Sequence, residues 1–268
     1  MTRFVRQCLA VAHRDAAVHR SYGWTAWLGL GTAALGLLSY FFIGKLVSPQ
    51  TTLLPGGDYF AFVWLGVTLQ LWVTATLSGL GHGLARQAAE GTLESSLAAG
   101  ASPLALVFGP ALVPSAFALV QAVITLGLGL GVFGLHLEAS GWALAGFAIV
   151  ATLVACAPIG IVGACAWLVT RRSGWVISAT LLGFSVFGGV YFPVALLPEP
   201  WSEVARWVPI QAGLEAARGA LLEGASWTSS QTALLRLALL SLAGLPLSLA
   251  CFRWALRRAE RRGDLALA

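Results

Sequence analysis

Six long apolar runs, parted by short polar stretches, dominate the chain: Trp24–Gly44, Tyr59–Leu80, Pro103–Leu126, Trp142–Thr170, Trp175–Phe192 and Thr232–Leu256. Each approaches or exceeds the roughly 20 apolar residues that a helix needs to cross a hydrocarbon layer about 30 Å thick. No charge falls in the middle of any run. The pattern predicts an all-α polytopic membrane protein with six transmembrane helices. Pro158 and Gly160 predict a kink or tilt in the long fourth run.

The segments outside the runs are patterned too. In Met1–Arg20, Phe4, Cys8, Val11 and Val18 share one helical face, flanked by Val5, Leu9 and Ala12, while Arg3, Arg6, His13, Arg14 and Arg20 lie largely on the other. This is the pattern of an amphipathic helix lying in the membrane interface. A signal peptide fits poorly, because the lead-in exceeds twenty residues and the following run is long enough to span. The expected organisation is an N-terminal interfacial helix at 1–23, a six-helix membrane domain at 24–256 and a basic tail at 257–268.

Two connections are longer than turns. Between Gly81 and Ser102, Arg86, Glu90 and Glu94 repeat at i, i+4, and Leu93 and Leu97 form an apolar ridge. The spacing predicts a short amphipathic surface helix at about 84–99. Two roles stay open for it, insertion of the ridge into a partner's groove or a solvated helix resting on lipid headgroups. Between Pro193 and Gln231, Pro193, Pro198, Pro200 and Pro209 alternate with Trp201, Trp207 and Trp227, around helical patterns at Glu199–Trp207 and Ile210–Glu223. Tryptophan favours the membrane–water boundary, so this segment, about 193–230, is expected to re-enter the outer leaflet.

Composition narrows the class. Of 268 residues, 58% are hydrophobic and 10% charged, and the mean hydropathy is +0.81. Soluble domains carry about 25% charged residues, so a soluble enzyme and a disordered chain are both excluded. The net charge of +5 does not indicate nucleic acid, because the arginines cluster beside the apolar runs, where they act as topology signals and contacts to membrane lipid. With the N-terminus in the cytoplasm, Arg3, Arg6, Arg14, Arg20, Arg86, Arg171, Arg172, Arg253, Arg257, Arg258, Arg261 and Arg262 lie inside. Lys45, Arg206, Arg218 and Arg236 lie outside or near the outer end of the last span. That asymmetry predicts a plasma (inner) membrane protein with both termini cytoplasmic.

No catalytic constellation is present. The chain has no GxxxxGK[ST], HExxH or GxSxG; its one lysine is Lys45 and its four histidines are scattered. Cys8, Cys156, Cys165 and Cys251 show no CxxC or metal spacing. No catalytic, cofactor or metal residue is expected. Small residues share faces in the first span (Thr25, Gly29, Thr32, Gly36, Ser39) and the second (Gln70, Thr74, Ser78), which favours helix–helix contact. An alternative has Gln70 and Thr74, with Phe184 and Phe187, facing a shared substrate path at a dimer axis. The glycines from Gly127 to Gly134 suit close packing or a hinge. Glu215 and Arg218, at i, i+3, can pair, either as an outer gate or as a local helix-stabilising pair.

The stretch Glu90-Gly-Thr-Leu-Glu94 after the second span resembles the coupling-helix motif of ABC-2 type transporter permeases. Gly188-Gly-Val-Tyr-Phe-Pro193, Leu197-Pro-Glu-Pro-Trp201, Trp207-Val-Pro209 and Glu215-Ala-Ala-Arg218 are similar to that family's segment between spans five and six. The resemblance covers nearly the whole chain. It implies half of an ABC exporter, in which two permease chains (a homodimer or a heterodimer) pair with two copies of a separate ATPase subunit that binds ATP and Mg. It also implies that Arg86, Glu90, Gly91, Thr92, Leu93, Glu94 and Leu97 couple to that ATPase, that the N-terminal helix adds a second contact, and that Glu215 and Arg218 belong to an external gate. The implied cargo is a drug, lipid or lipid-linked glycan, amphipathic or hydrophobic; the alternatives are an ATP-independent secondary transporter or channel, or a membrane scaffold or assembly factor.

Overall fold

A computed structural model describes residues 2–21, 31, 35–36, 38–46, 58–170 and 174–262. Helices make up the fold, and no strand occurs among the described residues. In chain order they are α1 (Thr2–Ser21), α2 (Tyr59–Ala89), α3 (Thr92–Ala98), α4 (Pro103–Gly131), α5 (Trp142–Thr170), α6 (Gly174–Phe187), α7 (Trp201–Arg206), α8 (Pro209–Leu222) and α9 (Gln231–Arg262). Residues 38–46 are also helical. Among the described residues, four helices are long and apolar enough to cross a membrane: α2, α4, α5 with its preceding turn, and α9.

Helix ends follow local chemistry. Asp58 caps α2 by accepting from the Phe60 amide at 2.9 Å. α2 and α3 are parted at Gly91, whose φ of 67° is left-handed, a conformation that glycine adopts without a Cβ clash. Pro103 and Pro209 occupy the first turns of α4 and α8, where a missing amide costs nothing. Pro110, Pro114, Pro158 and Pro246 lie within α4, α5 and α9, which packed membrane helices tolerate.

α2 is the central helix, packed against both α4 and α5. Glycine makes these approaches possible: a Cβ at Gly79 would meet the Ala111 Cα at 2.5 Å, and one at Gly83 would meet Pro110 at 2.9 Å. Small residues therefore bring the backbones together, as expected where lipid supplies no hydrophobic drive. Trp72 donates to the Ser115 hydroxyl at 2.9 Å, and the buried Gln87 donates to the Leu106 carbonyl at 2.8 Å. Among the glycines that end α4, a Cβ at Gly129 would stand 3.0 Å from the Trp64 ring, whereas Gly127 and Gly131 face open space. Trp64 joins Phe41, Phe60 and Phe133 in an aromatic cluster with centroids 4.8 to 5.6 Å apart.

Several expected boundaries need correction. The second apolar run does not end at Leu80: α2 continues to Ala89, because Leu84, Gln87 and Ala88 are buried inside the protein. The surface helix expected at 84–99 is therefore two elements. Arg86 belongs to the end of α2, and Gly91 breaks the chain before the seven-residue α3. The fifth run forms only the 14-residue α6, about 21 Å long, and breaks at Gly188 and Gly189, the latter at φ 63°. The expected tail is helical through Arg262, as the continuation of α9. In the first run, residues before 31 lie outside the described residues, Thr25 and Gly29 among them, as does Thr32. Further on, Gly44 is buried with its Cα side against Phe60.

Candidate functional site

At the end of the bundle that carries α1 and α3, a polar clamp surrounds the coupling segment. Asp15 on α1 is buried, with 5% exposure. It accepts from Arg14 at 3.0 Å and makes a very short ion pair with Arg86. Arg86 also lies 3.9 Å from Glu90. Arg14 donates to the Thr92 hydroxyl at 3.1 Å, and that hydroxyl donates to the Gln87 carbonyl at 3.2 Å. At the far end of α3, Gln7 donates to the Gly100 carbonyl and accepts from the Ser102 amide, both at 3.1 Å. α1 thus grips both ends of α3. It is seated on α4, where a Cβ on Gly109 would stand 2.7 Å from Val11, and Phe4 meets Phe108 edge-on at 6.4 Å.

The apolar ridge faces inward. Leu93 is 2% exposed and, with the half-buried Leu97, packs on Leu84, Leu106, Leu168 and Phe252. Two roles were open for the ridge, a partner's groove or the lipid headgroups; here Leu93 and Leu97 sit in this chain's own core, off the exposed side of α3. Glu90, Gly91, Ser95, Ala98 and Ala99 are exposed instead. The Glu94 side chain lies outside the described residues, although its backbone is part of α3. Asp15 and Gln7 escaped the reading of the sequence. The signal for Asp15 was present, since it falls on the Phe4, Cys8, Val11 face and is the one carboxylate before Asp58.

At the opposite end, Glu215 and Arg218 are separated. Arg218 is 4% exposed and bonds to no carboxylate among the described residues. Its guanidinium donates to the Phe62 carbonyl at 2.8 and 3.1 Å, to Gly189 at 2.8 Å and to Val190 at 3.1 Å, and it lies over the Phe62 ring at 3.4 Å. Three backbone carbonyls, two of them at the broken end of α6, replace a counter-ion. Gly66 makes room, since a Cβ there would be 2.5 Å from the guanidinium. Glu215 reaches Arg236 on α9 at 3.4 Å. The i, i+3 pairing of Glu215 with Arg218 is therefore corrected, because the guanidinium turns to the backbone carbonyls while Glu215 reaches Arg236. Both residues still line one cavity of about 210 Å³, together with Gln211 and Glu223.

The four candidate path residues divide. Gln70 donates to the Ser185 hydroxyl at 2.8 Å, linking α2 to α6, and the Gln70 carbonyl is buried without a partner. Phe184 is buried near Leu69, Val73 and Leu77, and Thr74 is half-buried. Phe187 stacks on Trp201 at 5.6 Å. A larger apolar cavity of about 290 Å³ lies elsewhere, between α2, α4, α5 and α8, lined by Thr68, Leu69, Trp72, Trp142 and Leu214 among others. The Thr68 hydroxyl on its wall is buried without a partner.

No curated protein sequence matches the chain. The sequence model of the ABC-2 type transporter family matches residues 16–222, a stretch that runs from the end of α1 through α3 to the last residue of α8. On that match the chain belongs to the ABC-2 type transporter family, and it is the permease component of an ABC-type transporter, a multi-pass membrane protein partnered by an ABC ATPase subunit.

Proposed function

We propose that this permease forms one half of an ATP-driven export path for an amphipathic or hydrophobic cargo. A second permease chain, the same or different, completes the path, and two copies of a separate ATPase supply the work, with ATP and Mg bound on them. The α1 and α3 end faces the cytoplasm in this reading, so both termini are cytoplasmic in a plasma (inner) membrane. The observation that carries it is the clamp. α3 is too short to be stable alone, yet α1 holds it at both ends through Asp15, Arg14 and Gln7. Glu90 just before it and Ser95 and Ala98 on it remain exposed for a docking partner, and the Arg86–Asp15 pair ties α1 to α2, a membrane-crossing helix.

ATP-driven closure of the ATPase pair would press on this exposed face. Through Arg86 the load enters α2, and through α1 it enters α4. The apolar lining of the 290 Å³ cavity, near the lower end of ligand-pocket sizes, supports a hydrophobic cargo. At the other end, Arg218 acts as a fixed strut, and the Glu215–Arg236 contact is the link that parts when α8 moves against α9.

The test is ATP turnover and cargo export in vesicles containing the permease with its copurified ATPase. Ser95→Arg and Ala98→Glu, both on the exposed face, are expected to lower turnover about tenfold, the effect of ~1.4 kcal/mol at a contact, while the permease stays folded. Unchanged turnover and unchanged export in both variants would overturn the proposal.

A further inference from the structure

From Ala243 onward, one face of α9 looks away from the protein. Ala243, Leu247, Ala250, Trp254, Arg257 and Arg261 follow at steps of four and three, and all are exposed. Phe252, Ala255 and Ala259 hold the opposite face in the core. Leu247 is 73% exposed and Trp254 54%, so the upper part of this face meets lipid chains. Below Trp254 the same face turns basic within two helical turns, about 10 Å. Arg258 joins Arg257 and Arg261 there, its guanidinium 5.4 Å from the Trp254 ring. The four side chains line an open cavity of about 460 Å³, and none of the three arginines forms an ion pair among the described residues.

We infer that Trp254, Arg257, Arg258 and Arg261 form a binding site for the headgroup of an anionic phospholipid in the leaflet on the α1 and α3 side. The continuity of the face decides for a lipid over a soluble phosphate compound or an acidic protein. Acyl chains lie along Leu247 and Ala250, the indole sits at the interface where tryptophan prefers to be, and the phosphate meets guanidinium forks that bind it bidentately. A ligand lacking chains would leave half of the face unused.

The site is tested on the full-length permease purified in detergent, by titrating a fluorescent short-chain phosphatidylglycerol, with phosphatidylcholine as the control lipid. Wild type is expected to prefer phosphatidylglycerol. Changing Arg257, Arg258 and Arg261 together to Gln should weaken it by about fivefold per arginine, on the order of 100-fold in all, with phosphatidylcholine unaffected. Changing the same three to Lys should give an intermediate affinity, above the Gln variant because the charge remains and below wild type because the forks are lost. All three side chains are exposed, so thermal unfolding should match wild type and separates loss of the site from loss of the fold. Undiminished phosphatidylglycerol affinity in the Gln variant would overturn the inference. So would equal affinity for both lipids, displacement by inorganic phosphate at matched concentration, or loss of ATPase copurification with lipid affinity intact.

Discussion

Arg218 shows how one side chain organises the α8 end. A guanidinium removed from water needs its donors satisfied, and here backbone carbonyls of residues 62, 189 and 190 do so. Each hydrogen bond to a charged group contributes about 1.5–3 kcal/mol, and lysine cannot reproduce the fork. Arg218→Lys is therefore expected to destabilise the protein by about 3 kcal/mol, read as a lower unfolding midpoint in detergent. Gly66→Ala should act partly through the same contact, because its new methyl would stand 2.5 Å from both the guanidinium and the Val190 carbonyl oxygen. A double-mutant cycle of Gly66→Ala with Arg218→Leu checks this: the alanine should cost less once the arginine is gone, with the remaining cost set by the Val190 carbonyl, and strict additivity would refute the shared contact. None of this was legible from the sequence. A lone arginine among Ala216, Ala217 and Ala220 announces burial, but its three acceptors are backbone atoms distant along the chain.

At the level of elements, hydropathy located the long helices well, since lipid-facing and core-facing positions are both apolar. It placed the ends poorly where protein, and not lipid, covers the helix. Residues 81–89 look polar enough to be a loop, yet Leu84, Gln87 and Ala88 are buried against α4 and its surroundings, so α2 continues. For the same reason the Leu93 ridge was readable as a ridge but not as one turned inward. Leu93→Asp is accordingly expected to unfold the α3 end, at about 3 kcal/mol or more for a charge placed in a core, seen as loss of monodisperse protein on size-exclusion chromatography. It thus reports on packing and cannot report on docking. Asp15→Asn is the sharper probe of the clamp. It keeps the shape and removes the charge that two arginines share, and because Arg86 and Arg14 are partly exposed they can return to water. A modest loss of stability, about 1–2 kcal/mol, should accompany a clear drop in cargo-stimulated ATP turnover. Full coupling in Asp15→Asn would show that α1 is merely a surface helix.

For the whole molecule, the distribution of arginine predicts which end faces inward. On a background with the native cysteines replaced, cysteines placed at the exposed Ser95 and Ser226 should react with a membrane-impermeant maleimide from opposite sides. In intact cells Ser226→Cys is expected to label, and Ser95→Cys only after lysis. Labelling of both from outside would reverse or dismantle the assigned topology. The all-helical class and the order of elements were legible because the bilayer demands them. The break of the fifth run at Gly188 was signalled by its paired glycines. What ties the two ends together was not, because it depends on side chains that meet across the fold.

α2 has its Arg218 attachment at Phe62 and its Asp15 attachment at Arg86, with no helix break between them. Those points are 24 residues apart, about 36 Å of rod. A stiff beam pinned at two places has no slack in which to lose a displacement. Whatever tilts it on one face of the bilayer must swing the α6 and α8 junction on the other, so a signal can traverse the membrane without any side chain changing partner along the way.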